Sequence, residues 1–407
     1  MTLTPTATSP AQDGTTTVAP EPSATPAPTA TSVPTPTSVP APTPTPTFDV
    51  PAEPLFDLRG EVPLSTAQLN ELILFVERQA GRTFKRPPNI TAQASEAFRA
   101  GVEDVGFERW LDPELTARRL QALGQTEISA AVFASSLNEG FGAGVGGYYD
   151  AESDALYMPV DEYPIRLFTV VLVHELTHAL DGQYVDLGGF EDRWNTALDT
   201  GNFEELNAIR AIVEGRAAVV EDAWSWPPHW SPAEDAEREI VSRPPVPFDI
   251  PQALIEEASV PYVRGPIFIR AHGGVAETWG FYDDVPASTE AILIPDALDQ
   301  PIVEVDVPVA DGPILETRVF GALDLGLVLR GRGSPTSLAR GWAGGRSVMW
   351  GDDESTCIRM AVATDTDDDR ERLFKTFERW VDLGDGNRTV VIDDDLIVAT
   401  ACAAFVP

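Results

Sequence analysis

The chain has 407 residues, of which 64 are acidic and 28 basic, and 43% of them are hydrophobic. Its net charge of −36 excludes nucleic acid and anionic membrane surfaces as main partners, because their phosphates repel such a surface. Two cysteines are too few for a disulfide-scaffold miniprotein or a four-thiolate zinc site, and the apolar runs are too short to predict a transmembrane segment.

Residues 1–54 differ in composition from the rest of the chain. They contain 14 of the 36 prolines and neither Lys nor Arg. A segment with so few side chains to bury is predicted to be a disordered Pro/Thr-rich stalk. Its four acidic residues leave 60 acidic against 28 basic side chains in the remainder, so the folded part carries about −32 by itself.

The stalk also bears on localisation. The N-terminus has neither the basic region nor the apolar run of a signal peptide. Pro/Thr-rich stalks often separate a membrane anchor from an extracytoplasmic domain, so we expect a secreted or surface-tethered protein whose export signal is removed or lies upstream. A cytoplasmic protein with a disordered tail is the alternative.

The folded part is predicted to be α+β, with a domain over 55–300 and a C-terminal α/β subdomain over 301–407. The first domain is predicted to contain helices Thr66–Gln79, Ala94–Val105 and Pro113–Leu123, a strand near Asn89, a hairpin over Gly146–Pro159, helices Ile165–Tyr184 and Asn202–Trp224, and proline-punctuated helix and loop over 247–300. The subdomain is predicted to contain strands Ser347–Trp350 and Cys357–Ala363, helix Asp368–Val381, and two strands over Thr389–Phe405.

The helix predicted at Ile165–Tyr184 contains His174-Glu175-Leu176-Thr177-His178. A spacing of four residues places both imidazoles on one helix face, one turn apart, where they suit a zinc ion. Glu175 then stands beside the open coordination position and can take a proton from water. Two histidines on a core helix by chance is the alternative interpretation.

A catalytic zinc needs a third protein ligand, and the second long helix offers Glu214. This carboxylate stands among apolar and small neighbours, where a charge is costly unless it is paired or bound to metal. Gly215 and the alanines after it are expected to let this helix approach the first one closely. A solvated Glu on the outer face is the alternative.

His174-Glu175-Leu176-Thr177-His178 together with Glu214-Gly215 resembles the gluzincin metallopeptidases, the thermolysin-like branch of the zincins. The resemblance implies a zincin-like core that holds one Zn²⁺ per chain on His174, His178 and Glu214, with Glu175 as general base. It is sharp over Tyr148–Asp222 and weak elsewhere.

The chain is also similar to bacterial extracytoplasmic proteins of this zincin type, through Ser288-Thr289-Glu290 and Gly341-Trp342. It departs from thermolysin in the longer gap between His178 and Glu214. It departs again at Ala218, which stands where thermolysin has an Asp four residues after its Glu ligand. The resemblance therefore does not carry over substrate specificity.

Helix geometry suggests supporting carboxylates. Asp181 follows His174 by seven residues and Glu221 follows Glu214 by seven, so each lies two turns along the same face. A carboxylate that accepts from a ligand imidazole would fix its tautomer. Solvated acidic helix ends are the alternative.

Two further roles follow from the resemblance. His272 is a candidate donor to the oxyanion, against the alternative of a histidine without a role in the reaction, and Tyr262 and Tyr282 are alternative hydroxyl donors. The strand Ala155–Met158 is a candidate edge for pairing with an extended substrate, against the alternative of an ordinary buried hairpin.

Cys357 and Cys402 each fall in a predicted C-terminal strand. In an exported protein a disulfide between neighbouring strands is expected, although the sequence does not show whether their Cα atoms approach closely enough. Two buried free thiols are the alternative.

These features predict an exported zinc metallopeptidase that hydrolyses peptide bonds in a peptide or protein substrate. The alternatives are a zinc-stabilised cell-surface binding or scaffold protein without activity, and an amidase acting on cell-wall peptides. The intact Glu175 argues against the scaffold, since a retired enzyme has no need of its base.

Overall fold

The computed structural model describes residues 50–105, 112–136, 145–225, 250–384 and 386–407. Val50–Pro407 forms one compact unit of helices and sheets, which confirms the predicted α+β class. All but the last five residues of the predicted stalk lie outside the described residues. Pro227 and Pro228, which follow the second long helix in the sequence, also lie outside the described residues.

The helices follow the predicted order with small shifts at their ends. Pro164 directly precedes the first long helix, which ends at Gly182. The helices at Leu187–Asp199, Ala322–Val328 and Pro335–Ala339 were not predicted. The helices are α1 (Thr66–Ala80), α2 (Ser95–Val105), α3 (Pro113–Ala122), α4 (Ile165–Gly182), α5 (Leu187–Asp199), α6 (Phe203–Ser225), α7 (Gln252–Val263), α8 (Gly265–Ala271), α9 (Thr289–Leu293), α10 (Ala322–Val328), α11 (Pro335–Ala339) and α12 (Asp367–Asp382).

The first sheet has the strand order β1–β2–β4–β3, with β1 (Asp57–Arg59), β2 (Asn89–Gln93), β3 (Tyr148–Asp150) and β4 (Ala155–Pro159). β1, β2 and β4 run parallel, and β3 forms the predicted hairpin with β4. The prediction that Ala155–Met158 forms the edge is therefore wrong. β4 lies between β3 and β2, and its partners in β2 come 66 residues earlier in the chain. β3 is one of the two outer strands of this sheet among the described residues, and β1 is the other.

The second sheet is antiparallel throughout, in the order β5–β6–β7–β9–β8. Its strands are β5 (Ile314–Val319), β6 (Trp342–Gly351), β7 (Ser355–Thr364), β8 (Arg388–Asp393) and β9 (Leu396–Ala404). Helices and strands both occur here, as predicted, but β6 with β7 and β8 with β9 form adjacent antiparallel pairs between the helices. Cys357 and Cys402 face each other across β7 and β9 and are joined by a disulfide.

Two main hydrophobic cores fill the described unit. The first packs around α1, α4, α6 and the first sheet, and the second packs α12 against the second sheet. The second core also includes Ala122, Leu123, Leu293 and Ile294, which precede the predicted boundary at residue 300. The division of this unit at 300 stays a prediction.

The segments Ser288-Thr289-Glu290 and Gly341-Trp342 make contacts that join these two cores. Thr289 donates from its backbone N–H (2.8 Å) and its hydroxyl (2.6 Å) to the carboxylate of Glu204, near the start of α6. Glu290 accepts a hydrogen bond from the backbone N–H of Gly341 (3.1 Å). The Ser-Thr-Glu and Gly-Trp segments therefore meet, and they link the start of α6 to β6.

Glu204 and Glu290 are both buried, at 3% and 4% exposure. Burial raises the pKa of Glu204 to about 7, against hydrogen bonds from Thr289 that lower it. Burial, with the nearby charge of Asp365, also raises the pKa of Glu290 to about 7. A carboxyl whose pKa is raised by folding contributes stability that is present at low pH and lost as pH rises.

We therefore expect the free energy of unfolding of the Glu204→Gln variant to depend less on pH than that of the wild type. Between pH 5 and pH 8 the wild-type free energy of unfolding should fall by roughly 2 to 3 kcal/mol more than that of the variant, from the shift of its pKa. Urea unfolding at both pH values measures this difference. The exposed residue Glu61, changed to Gln, controls for loss of a carboxylate, and equal pH dependence in wild type and Glu204→Gln would contradict the expectation.

Candidate metal centre

The motif lies in α4, most of which is buried. His174, Glu175 and His178 are only 9%, 6% and 8% exposed. Ionisable side chains at such depth are destabilising unless partners compensate them. The neighbouring helix α6 supplies those partners.

Glu214 of α6 reaches both imidazoles. Its Oε2 lies 3.2 Å from Nε2 of His174 and 3.6 Å from Nε2 of His178. The three candidate ligand atoms all lie within 4.8 Å of one another. Ligand atoms about 2.0 to 2.2 Å from a tetrahedral zinc are separated by about 3.4 Å, so this donor set fits zinc in both chemistry and spacing.

Glu221 occupies the position predicted for a supporting carboxylate. Its Oε2 lies 3.0 Å from Nδ1 of His174, whereas Glu214 faces the other ring nitrogen, Nε2. Accepting from Nδ1–H leaves Nε2 of His174 with its lone pair free for a metal. Two carboxylates of α6 therefore hold one imidazole by its two nitrogens.

The charges of the cluster shift its titration. Burial alone would lower the pKa of His174, but hydrogen bonds to Glu214 and Glu221 outweigh it and hold that pKa well above its usual range. Burial would raise the pKa of Glu214, but the two imidazoles hold it well below its usual range. Without a metal, Glu214 and His174 thus form an ion pair.

Glu175 is set apart from the ligand set. Burial raises the pKa of its carboxyl, and the charges of His174 and His178 counter this only in part. Gly147, just before β3, packs directly on it. A Cβ at Gly147 would lie 3.0 Å from Cγ of Glu175, 3.0 Å from Val171 and 2.8 Å from the sulfur of Met158.

The structure ranks the three candidate oxyanion donors. Tyr262 lies beside the cluster, with its ring 6.2 Å from that of His174. The residue is 49% exposed, and desolvation of its hydroxyl together with the charge of Glu214 raises its pKa well above the usual range. Tyr262 is therefore the donor that the site brings to the metal ligands.

The other two candidates are held elsewhere. Tyr282 is 3% exposed and donates its hydroxyl to Asp181. His272 packs between Phe268 and Phe281, and its Nδ1 lies 2.9 Å from the carbonyl oxygen of Phe268. The prediction that His272 serves the oxyanion has no support from these contacts.

The predicted role of Asp181 is corrected by its contacts. Its carboxylate forms a fully buried bidentate ion pair with Arg216 of α6 (2.9 and 3.1 Å) instead of supporting an imidazole. Arg216, two residues after Glu214, was not predicted to have a role. The signal in the sequence that could have identified it is an arginine in a run that is apolar apart from Glu214.

Gly215 also serves a different contact from the one predicted. A Cβ on Gly215 would lie 2.6 to 3.0 Å from the backbone of Gly265, and one on Gly265 would lie 2.4 Å from the carbonyl oxygen of Ala211. Gly215 thus admits the start of α8, which begins three residues after Tyr262, and not α4. The close contact of the two glycines fixes the junction between α7 and α8, where Tyr262 lies.

The edge strand lies beside the cluster. Among the described strands β3 pairs with β4 alone, and Gly147, which precedes β3, touches Glu175. An extended chain could pair with the open side of such a strand. This places the candidate substrate edge on β3 and not on β4.

No family model matches this sequence, and neither a curated protein nor a solved structure matches the chain. The gluzincin resemblance therefore depends on the motif residues and on the geometry described above.

We expect Gly147→Ala to disturb Glu175 without removing any ligand. The added methyl group would overlap Glu175, Val171 and Met158, so the carboxylate or the strand has to move. Thermal unfolding should show a loss of about 1 to 3 kcal/mol, the usual range for overpacking. Gly280→Ala, where a Cβ meets nothing within 4 Å, is the matched control. Equal stability of the two variants would contradict this packing.

Proposed function

We propose that this protein is a zinc-dependent hydrolase of gluzincin type that cleaves peptide bonds in a peptide or protein substrate. One observation carries the proposal. The carboxylate of Glu214 lies between the two imidazoles of the motif, while Glu175 on the same helix stays outside the ligand set. Three ligands plus a separate buried carboxylate are what metal-assisted hydrolysis requires.

His174, His178 and Glu214 would hold one zinc ion per chain. Zinc bound there supplies Lewis-acid polarisation of the scissile carbonyl and activation of a water molecule. Glu221 would hold the proton on Nδ1 of a neutral His174, which leaves Nε2 as the ligand atom for the metal.

Glu175 is proposed as the general base and then the general acid. Its carboxyl stands on the motif helix, next in sequence to the candidate ligand His174 and outside the ligand set. It can therefore take a proton from the attacking water and pass it to the leaving nitrogen.

Tyr262 is proposed to stabilise the oxyanion, and β3 to align the substrate. The ring of Tyr262 lies 6.2 Å from that of His174, so its hydroxyl is proposed to donate to an oxygen that develops charge near the ligands. The Gly147 end of β3 touches the general base, so a substrate chain paired with β3 would pass beside Glu175.

An extracytoplasmic location is proposed with this activity. The disulfide between Cys357 and Cys402 is of the kind that persists in oxidising compartments. None of the helices in the described ranges combines the length and the apolar character needed to cross a bilayer. The charge of −36 favours neutral or basic peptides over nucleic acid as partners.

The first test is Glu175→Gln. The variant should retain one zinc per chain, because Glu175 is not a ligand, and should cleave labelled unfolded casein about 10²- to 10⁴-fold more slowly, the usual contribution of a general base. Metal analysis and initial rates are measured on the same samples. Glu152→Gln, on the exposed turn of the hairpin, is the control, and a Glu175→Gln variant as fast as wild type would refute the assignment.

The second test compares Tyr262→Phe with His272→Gln. Loss of one oxyanion donor should lower kcat of Tyr262→Phe by about 10²- to 10³-fold, with zinc content and KM nearly unchanged. His272→Gln should lower kcat far less, because its contacts lie in the aromatic cluster of Phe268 and Phe281. The reverse order of the two losses would assign the oxyanion to His272.

A further inference from the structure

A buried polar network lies behind the candidate metal centre and joins three parts of the chain. At its middle, Arg216 of α6 and Asp181 of α4 are both completely inaccessible to solvent. Nε of Arg216 donates to Oδ2 of Asp181 (2.9 Å), and Nη2 donates to Oδ1 (3.1 Å). The pair is therefore bidentate, the geometry with the narrowest tolerance for displacement.

The remaining donors of Arg216 fix a third segment. Nη1 donates to the carbonyl oxygen of Val275 (2.7 Å) and to the hydroxyl of Thr278 (2.9 Å). Tyr282 donates to Asp181 from the same segment, and Trp279 stacks on the guanidinium at 4.2 Å. Trp279 in turn donates to the carbonyl oxygen of Ala80, at the end of α1.

Each member of the ion pair stands close to a candidate ligand. Asp181 follows His178 by three residues on α4, and Arg216 follows Glu214 by two on α6. A helix is stiff over such short distances, so the position of the pair fixes the position of the ligands. Zinc sites tolerate only about 0.2 Å of deviation in ligand distances.

Net stability alone does not explain this pair. Removing two charges from water is costly. Replacing a buried ion pair by apolar residues of similar volume often leaves the stability unchanged or raises it. Apolar contacts, however, allow helices to slide over one another, whereas a bidentate pair does not. A requirement for fixed relative position explains why charges stand here.

We propose that Asp181 and Arg216 are positioning residues, whose ion pair sets α4 and α6 so that Glu214 meets both His174 and His178. The pair acts through the helices and touches neither the metal nor the substrate. This inference rests on the metal-binding part of the proposed function. It does not depend on whether the protein cleaves peptides.

The test replaces the network by apolar residues in the full chain. Asp181→Leu and Arg216→Met are combined with Tyr282→Phe, because the hydroxyl of Tyr282 would otherwise lose its acceptor. The zinc dissociation constant is measured by competition with a chromophoric chelator, and folding is measured by circular dichroism and thermal melting. The expected result is a folded protein whose dissociation constant for zinc rises about 10- to 100-fold, the range seen when groups that orient ligands are lost.

The matched control is Arg119→Met with Glu316→Leu. This pair is also largely buried, but it joins α3 to β5, which carry none of the candidate ligands. Its dissociation constant for zinc should equal that of the wild type. A triple variant that binds zinc as tightly as the wild type would overturn the inference and leave the proposed function standing.

If the triple variant does not fold, the zinc dissociation constant of the single variant Asp181→Asn is measured in its place. This variant keeps the volume and one acceptor oxygen, so a several-fold rise in the dissociation constant is expected, and a wild-type value would overturn the inference. A wild-type protein that binds zinc but cleaves nothing refutes only the peptidase assignment. A wild-type protein that binds no zinc overturns both.

Discussion

The structure depends on compensation of charge inside an apolar helix pair. Most of α4 is buried, and yet it carries two histidines and a glutamate in its middle turns. This arrangement is stable because α6 presents Glu214 and Glu221 to the two nitrogens of His174. The same contacts that stabilise the buried imidazoles also hold them in the positions that a metal needs.

α6 connects the candidate site to the rest of the molecule. Glu204 near its start binds Thr289, and Glu214 and Glu221 in its later turns face α4. Glu290, adjacent to Thr289, binds the backbone of Gly341 at the start of the second sheet. A displacement of the second sheet would therefore act on the helix that carries a candidate ligand.

Local patterns were enough to predict most helices, the hairpin and the candidate ligands, since helix periodicity brings residues four and seven apart to one face. Glu221 was found by this reasoning, and its hydrogen bond to His174 is present. The same reasoning failed for Asp181, because a long arginine side chain from another helix outcompeted the imidazole. It also failed for the sheet edge. The pairing of β2 with β4 is non-local, and no short-range pattern encodes it.

The contact between Gly215 and Gly265 has a consequence for how this site can vary in evolution. The two backbones approach so closely that no residue with a side chain fits at either position without moving a helix. Glu214 stands directly before one glycine, and Tyr262 lies three residues before the other. A single substitution at either glycine would shift a candidate ligand and a candidate oxyanion donor together, so this corner can diverge only through paired, simultaneous changes.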